Sequence, residues 1–132
     1  LNELDKDIYD FVVVNYANCD MVGHTGVFDA AVKAVETVDE CASIIIKKVI
    51  EKNGTVFLTA DHGNAEKMQD NGQAHTAHTT NDVRFIVIDK HINKGKISLD
   101  NGRLADIMPS ILDWMNIRIP DEVSGKSLII KS

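Results

Sequence analysis

The chain has 132 residues, 44% hydrophobic and 26% charged, an ordinary composition for one domain with a modest core. It carries 14 Lys and Arg against 20 Asp and Glu, a formal net charge of -6. That balance argues against a nucleic-acid partner, whose phosphates need basic side chains, but not against a small anionic substrate, because bound divalent cations invert the local sign of an acidic protein. No apolar run reaches the roughly 18 residues of a membrane span. The opening Leu-Asn-Glu-Leu-Asp-Lys-Asp has no signal-peptide pattern and no initiator Met, so the chain reads as a piece of something longer. Cys19 and Cys41 make no disulfide framework and read as free thiols of a reducing compartment.

Residues 8–15, Ile-Tyr-Asp-Phe-Val-Val-Val-Asn, read as a buried strand. The run is β-branched and does not alternate, as in parallel sheets covered on both faces. A polar loop follows to Gly26. From Val27 to Ile50 the period becomes helical, with Ala31, Ala34, Val35, Val38, Ile45 and Val49 on one face and Lys33, Glu36, Glu40 and Lys47 on the other. Asn53-Gly54 is the expected stop. Thr55 to Thr59 is a second strand, so strand, helix and strand predict a right-handed βαβ crossover with parallel strands.

Residues 64–80 read as a loop with a turn at Asp70-Asn-Gly72, and Val83–Ile88 as a third strand. Lys90 to Gly102 reads as a short edge hairpin or excursion. Arg103–Met115 is helical, with Pro109 predicting a kink or an offset start. The tail holds a short strand at Leu128–Ile130. The Ser43 and Ser110 hydroxyls both fall within predicted helices and read as structural.

Three short segments concentrate metal-ligand residue types: Asp20-Met-Val-Gly-His24, Asp61-His-Gly-Asn64 and His75-Thr-Ala-His78. The first two each follow a hydrophobic run, which suggests one composite metal centre at the carboxyl ends of neighbouring strands. The spacing of Asp20 and His24 brings a carboxylate and an imidazole together on one helical turn. Asp61 and His62 are adjacent and point in different directions, which suits two close ions taking one each. The plainer alternative for Asp61 is a cap on a short helix starting near Asn64. In the H-x-x-H, His78 is the preferred ligand because it lies nearer the third strand. His75 and Thr79 are candidates for orienting a ligand or touching a substrate, as are Thr76 and Thr80 for orienting ring nitrogens. Imidazole among the donors favours Mn²⁺ or Zn²⁺ over Ca²⁺. Neither a G-x-S-x-G turn nor a glycine-rich phosphate loop is present.

Together, Asn15-Tyr-Ala-Asn-Cys-Asp-Met-Val-Gly-His-Thr-Gly26, Thr59-Ala-Asp-His-Gly-Asn-Ala-Glu66 and His75-Thr-Ala-His-Thr-Thr-Asn81 resemble the cofactor-independent (2,3-bisphosphoglycerate-independent) phosphoglycerate mutases of the alkaline phosphatase superfamily. The helix from Ala30 to Cys41 and the tail from Leu104 to Asp113 and Gly125 to Leu128 extend the resemblance over essentially the whole chain. The resemblance implies a three-layer α/β/α fold with a largely parallel sheet, incomplete here. Residues 1–132 would form the carboxyl-terminal portion of the phosphatase domain, without its amino-terminal part or the inserted substrate-binding domain.

The resemblance also implies that Asp20, His24 and His78 hold one Mn²⁺, with Zn²⁺ or Co²⁺ as substitutes. Asp61 and His62 would hold a second ion, completed by an aspartate and a nucleophilic serine outside this chain. The implied reaction interconverts 3-phosphoglycerate and 2-phosphoglycerate through a phosphoserine, in a cytoplasmic, monomeric glycolytic isomerase. By itself the chain is expected to be inactive. The alternative is a metal-binding or self-associating remnant without catalysis. The sequence departs from the usual pattern at Cys19, at Asp82-Val-Arg84 and at Asn116, none of which removes a group needed at the metals.

Overall fold

The computed structural model describes residues 1–92 and 96–131, in two compact units, Leu1–Asp89 and Lys90–Ser132. In the first unit, α1 (Asn2–Asp5) and α2 (Asn18–Gly23) precede a long helix α3 (Phe28–Glu51). The strands β1 (Val56–Leu58), β2 (Gln69–Asp70), β3 (Gln73–Ala74) and β4 (Ile86–Ile88) follow. The second unit holds β5 (Ile97–Leu99), a 3-10 turn over Leu104–Asp106, α4 (Ile107–Trp114) and β6 (Ile129–Lys131).

Helix α3 follows its predicted bounds closely, because its apolar period and its stop signal agree. Val27, extended, enters it, and its N–H is accepted by the Thr25 hydroxyl at 3.2 Å. Asn53 ends it in the left-handed region (φ 61), and the Gly54 N–H caps the Val49 carbonyl at 2.9 Å. The buried residues of α3 are small, Ala31 and Ala34. Lys48 and Lys52 pair with Asp5 and Asp7 at 2.5 and 2.6 Å and tether the amino-terminal segment to the same helix.

The expectation of a largely parallel sheet is overturned. Strand β1 pairs with β4 in antiparallel register, Val56 with Ile88, Phe57 with Val87 and Leu58 with Ile86. The pairs β2–β3 and β5–β6 are antiparallel too, and among the described residues no ladder is parallel. The run at residues 8–15 forms no strand, and Ile8, Tyr9, Phe11, Val12, Val13 and Val14 are exposed. An apolar β-branched run encodes a preference for burial, but a ladder also needs a neighbour to pair with. Without that first strand the expected crossover does not exist. The partner of β1 is instead the next apolar run, reached through a loop that reverses direction rather than through a helix. Phe57 and Phe85 stack across this pairing with ring centroids 6.1 Å apart.

The Asp70-Asn-Gly72 turn closes the β2–β3 hairpin. Asn71 (φ 50) and Gly72 (φ 79) both sit at positive φ, as a two-residue turn between twisted strands requires. Residues 93–95 of the predicted 90–102 excursion lie outside the described residues. The rest of that segment supplies β5, which pairs with the tail strand rather than forming a hairpin of its own.

Pro109 produces the offset start. The 3-10 turn comes first, and Pro109 then falls in the first turn of α4, where a missing N–H costs no helical hydrogen bond. Asn116, in place of glycine, takes the left-handed C-terminal position (φ 55), and the Ile117 N–H reaches the Leu112 carbonyl at 2.8 Å. Asp106 organises the unit: its two carboxylate oxygens accept the backbone N–H groups of Arg103 and Lys126, each at 2.9 Å. Those bonds, that of Lys126 first, hold the Asp106 carboxyl below the usual range. The Ser110 hydroxyl, fully buried, donates to the Asp106 carbonyl at 2.7 Å and accepts the Leu128 N–H at 2.9 Å. Leu128 and Ile129 are buried beside it. Among the described residues no helix is long and apolar enough to cross a membrane.

Candidate metal centre

Three segments of the first unit meet at the Asp20 carboxylate. Asp20 lies in α2 and His24 caps its end, so the i, i+4 spacing stacks them on one turn, with His24 Nε2 3.1 Å from Asp20 Oδ1. His78 Nε2 stands 3.3 Å and His62 Nε2 3.8 Å from the same oxygen. The His62 and His78 rings stack with centroids 3.6 Å apart and planes 16° apart, and His24 lies 5.1 Å from His78. One ligand-type atom from each of Asp20, His62 and His78 falls within 4.8 Å of the others.

The tautomer of His24 follows from its neighbours. Its Nδ1 lies 2.5 Å from the Thr76 carbonyl oxygen, which only accepts, so Nδ1 carries the proton. The lone pair of the neutral ring is then on Nε2, facing Asp20. The orienting group is thus the main chain of Thr76 rather than a threonine hydroxyl. One carboxylate oxygen with three imidazole nitrogens around it gathers ligand-type atoms that a divalent cation can use. The donor set, one carboxylate with several imidazoles, fits a transition-metal ion better than Ca²⁺.

Asp61 stands at the rim of this cluster. Its side chain is 87% exposed, with Oδ2 3.7 Å from His62 Nε2. No helix begins at Asn64, so Asp61 is not a helix cap. His62 lies with Asp20 and His78 rather than apart from them. His75 is not in the cluster: its backbone N–H donates to the Met68 carbonyl at 2.9 Å, and its Nδ1 is buried without a hydrogen-bond partner among the described residues. Thr79 does not reach the cluster with its hydroxyl either, which donates to Glu66. Cys19 and Cys41 are free thiols, and burial raises the Cys19 thiol pKa.

Two residues of the site were not singled out by sequence reasoning. Asn64 is buried, and its amide donates to Asp20 Oδ1 at 2.8 Å, the main reason the Asp20 carboxyl lies below its ordinary range. Glu66 accepts from the Asn64 N–H at 2.6 Å, from the Asn81 amide at 2.9 Å and from the Thr79 hydroxyl. The signal for both was their place beside Asp61-His62-Gly63. An asparagine or glutamate in a loop carries no periodicity to mark it.

A family model described as the metalloenzyme superfamily matches residues 1–119. The 2,3-bisphosphoglycerate-independent phosphoglycerate mutase of Clostridium botulinum (strain ATCC 19397 / Type A) is 55% identical over 131 residues, 98% of this chain and 25% of that protein. The corresponding mutase of Clostridioides difficile (strain 630) is 52% identical over 133 residues, 99% of this chain and 26% of that protein. A crystal structure of Leishmania mexicana phosphoglycerate mutase at low cobalt concentration superposes with a TM-score of 0.86 at 27% identity, covering 99% of this chain and 27% of that one. The chain therefore spans about a quarter of the length of the relatives it matches. With the family match running through Asp20, His24, His62 and His78 alike, the chain belongs to the metalloenzyme superfamily.

Proposed function

We propose that this chain supplies the metal-holding part of a cofactor-independent phosphoglycerate mutase, which interconverts 3-phosphoglycerate and 2-phosphoglycerate through a phosphoserine. The observation that carries the reading is the convergence of His24, His62 and His78 on Asp20 Oδ1, in a chain more than half identical to such mutases. Asp20, His24 and His78 would hold one ion, and His62 and the exposed Asp61 would face a second. The donor set suits Mn²⁺ and accommodates Zn²⁺ or Co²⁺. Bound ions would supply an acidified nucleophile and offset charge on the transferring phosphoryl group.

The residues of this chain prepare that site. The Thr76 carbonyl fixes the His24 ring with Nε2 inward, and Asn64 orients the Asp20 carboxylate. We assign the nucleophile to no residue of this chain: Ser43, the single serine of residues 1–89, lies within α3. A cytoplasmic setting fits the free thiols.

Phosphorus NMR of the full-length protein incubated with 3-phosphoglycerate tests the proposal. Conversion to 2-phosphoglycerate is expected with Mn²⁺, without added 2,3-bisphosphoglycerate, and is expected to stop on chelation. A 132-residue polypeptide of this sequence alone is expected to show none. Absence of conversion by the full-length protein with Mn²⁺, Co²⁺ and Zn²⁺ would contradict the reading, as would conversion indifferent to chelation.

A further inference from the structure

The loop that carries His62 and the loop that carries His78 are joined by a clamp centred on Glu66. The Thr79 N–H donates to the Gly63 carbonyl at 2.8 Å, an isolated bridge that sets the backbone register. Glu66 then ties the same two loops by side chain. Its Oε2 accepts the Asn64 N–H at 2.6 Å, and its Oε1 accepts the Thr79 hydroxyl and the Asn81 amide, the latter at 2.9 Å. All three partners donate here, and a carboxylate answers them on both oxygens without reorienting any of them. The same bonds, that of Thr79 first, lower the Glu66 pKa.

Gly63 completes the arrangement. A Cβ at that position would overlap both Thr79 Oγ1 and Glu66 Oε1, so only glycine leaves room for the clamp. The clamp flanks both rings directly: His62 precedes Gly63, and His78 precedes Thr79. Fixing Gly63 against Thr79 sets where the two imidazoles stack and how far each Nε2 stands from Asp20.

We propose that Glu66 is a positioning residue that holds His62 and His78 in register for divalent-ion binding, through Thr79, Asn81 and the Asn64 N–H. This rests on the metal reading above and deepens it. Glu66→Gln preserves shape but turns one oxygen into an NH₂ group. One orientation of the amide sets that donor against the Asn64 N–H, and the other requires Thr79 and Asn81 to turn from donors into acceptors.

The test is a Mn²⁺ titration of the full-length protein followed by electron paramagnetic resonance, repeated with Co²⁺ followed by visible absorption. Circular dichroism and the metal-free melting temperature are recorded alongside. Glu66→Gln is expected to weaken ion affinity by about 10- to 100-fold, as loss of a group that orients a ligand does, and to alter the Co²⁺ spectrum. Thr79→Val, which removes only the hydroxyl, is expected to weaken affinity less, and the double variant no more than Glu66→Gln alone. A purely structural role would lower the melting temperature and leave ion affinity and the Co²⁺ spectrum unchanged. Affinity within twofold of the parent in folded Glu66→Gln would therefore overturn the proposal. Should Glu66→Gln not fold, unchanged affinity in Thr79→Val would overturn it equally. A parent protein that binds no divalent ion would instead refute the metal reading itself, and with it the clamp's purpose.

Discussion

Asp20→Ala is expected to lose divalent-ion binding by more than about 100-fold, beyond the 10- to 100-fold typical of groups that only orient a ligand. Asp20 Oδ1 is the atom on which His24, His62 and His78 all converge, so its removal leaves the imidazoles without their shared anionic partner. The loss is expected without unfolding, because Asp20 is partly exposed in a short helix whose backbone bonds do not use its side chain. Asp20→Asn separates charge from shape. An amide oxygen still accepts from Asn64, but the negative charge is gone, so affinity is expected to fall to a level between those of the parent and Asp20→Ala. Isothermal titration with Mn²⁺ measures both. Parent-like affinity in Asp20→Ala would place the ion elsewhere.

Ser110→Ala is expected to destabilise the protein by about 1–3 kcal/mol, the cost of leaving a buried polar group without its partner. The hydroxyl is fully buried and is used twice, once as donor to the Asp106 carbonyl and once as acceptor of the Leu128 N–H. Alanine removes the acceptor of the buried Leu128 N–H, just before β6. Urea unfolding monitored by fluorescence of Trp114, in the same unit, reads the change. An unfolding midpoint equal to that of the parent would show that water or a local shift replaces the hydroxyl.

Much of this was legible along the chain. The apolar period of residues 27–50 and the Asn53-Gly54 stop agree with each other, and α3 has nearly those bounds. The Asp70-Asn-Gly72 turn is a local signal, satisfied by backbone conformation alone. The Pro109 offset is equally local, because the ring dictates where a helix can begin. Sheet pairing was not legible. The Val12-Val13-Val14 run states that it prefers burial but not which strand would flank it. The direction of the β1–β4 pair depends on how the chain returns, which no residue of either strand encodes.

At the site, the ligand-type residues were visible because His and Asp in short segments after apolar runs are chemically conspicuous. Their companions were not. Asn64 and Glu66 act through hydrogen bonds made across 44 and 13 residues of chain respectively, to Asp20 and Thr79, and only folding reveals those partners. The ring of His24 is likewise oriented by a backbone carbonyl 52 residues away, where side-chain identity carries no information.

The most direct test of the account is an anomalous difference map from crystals of the full-length protein grown with Mn²⁺. A peak within bonding distance of Asp20 and of the Nε2 atoms of His24 and His78 is the predicted result. Saturating Mn²⁺ with no peak at that cluster, or with the ion held by other residues, would contradict it.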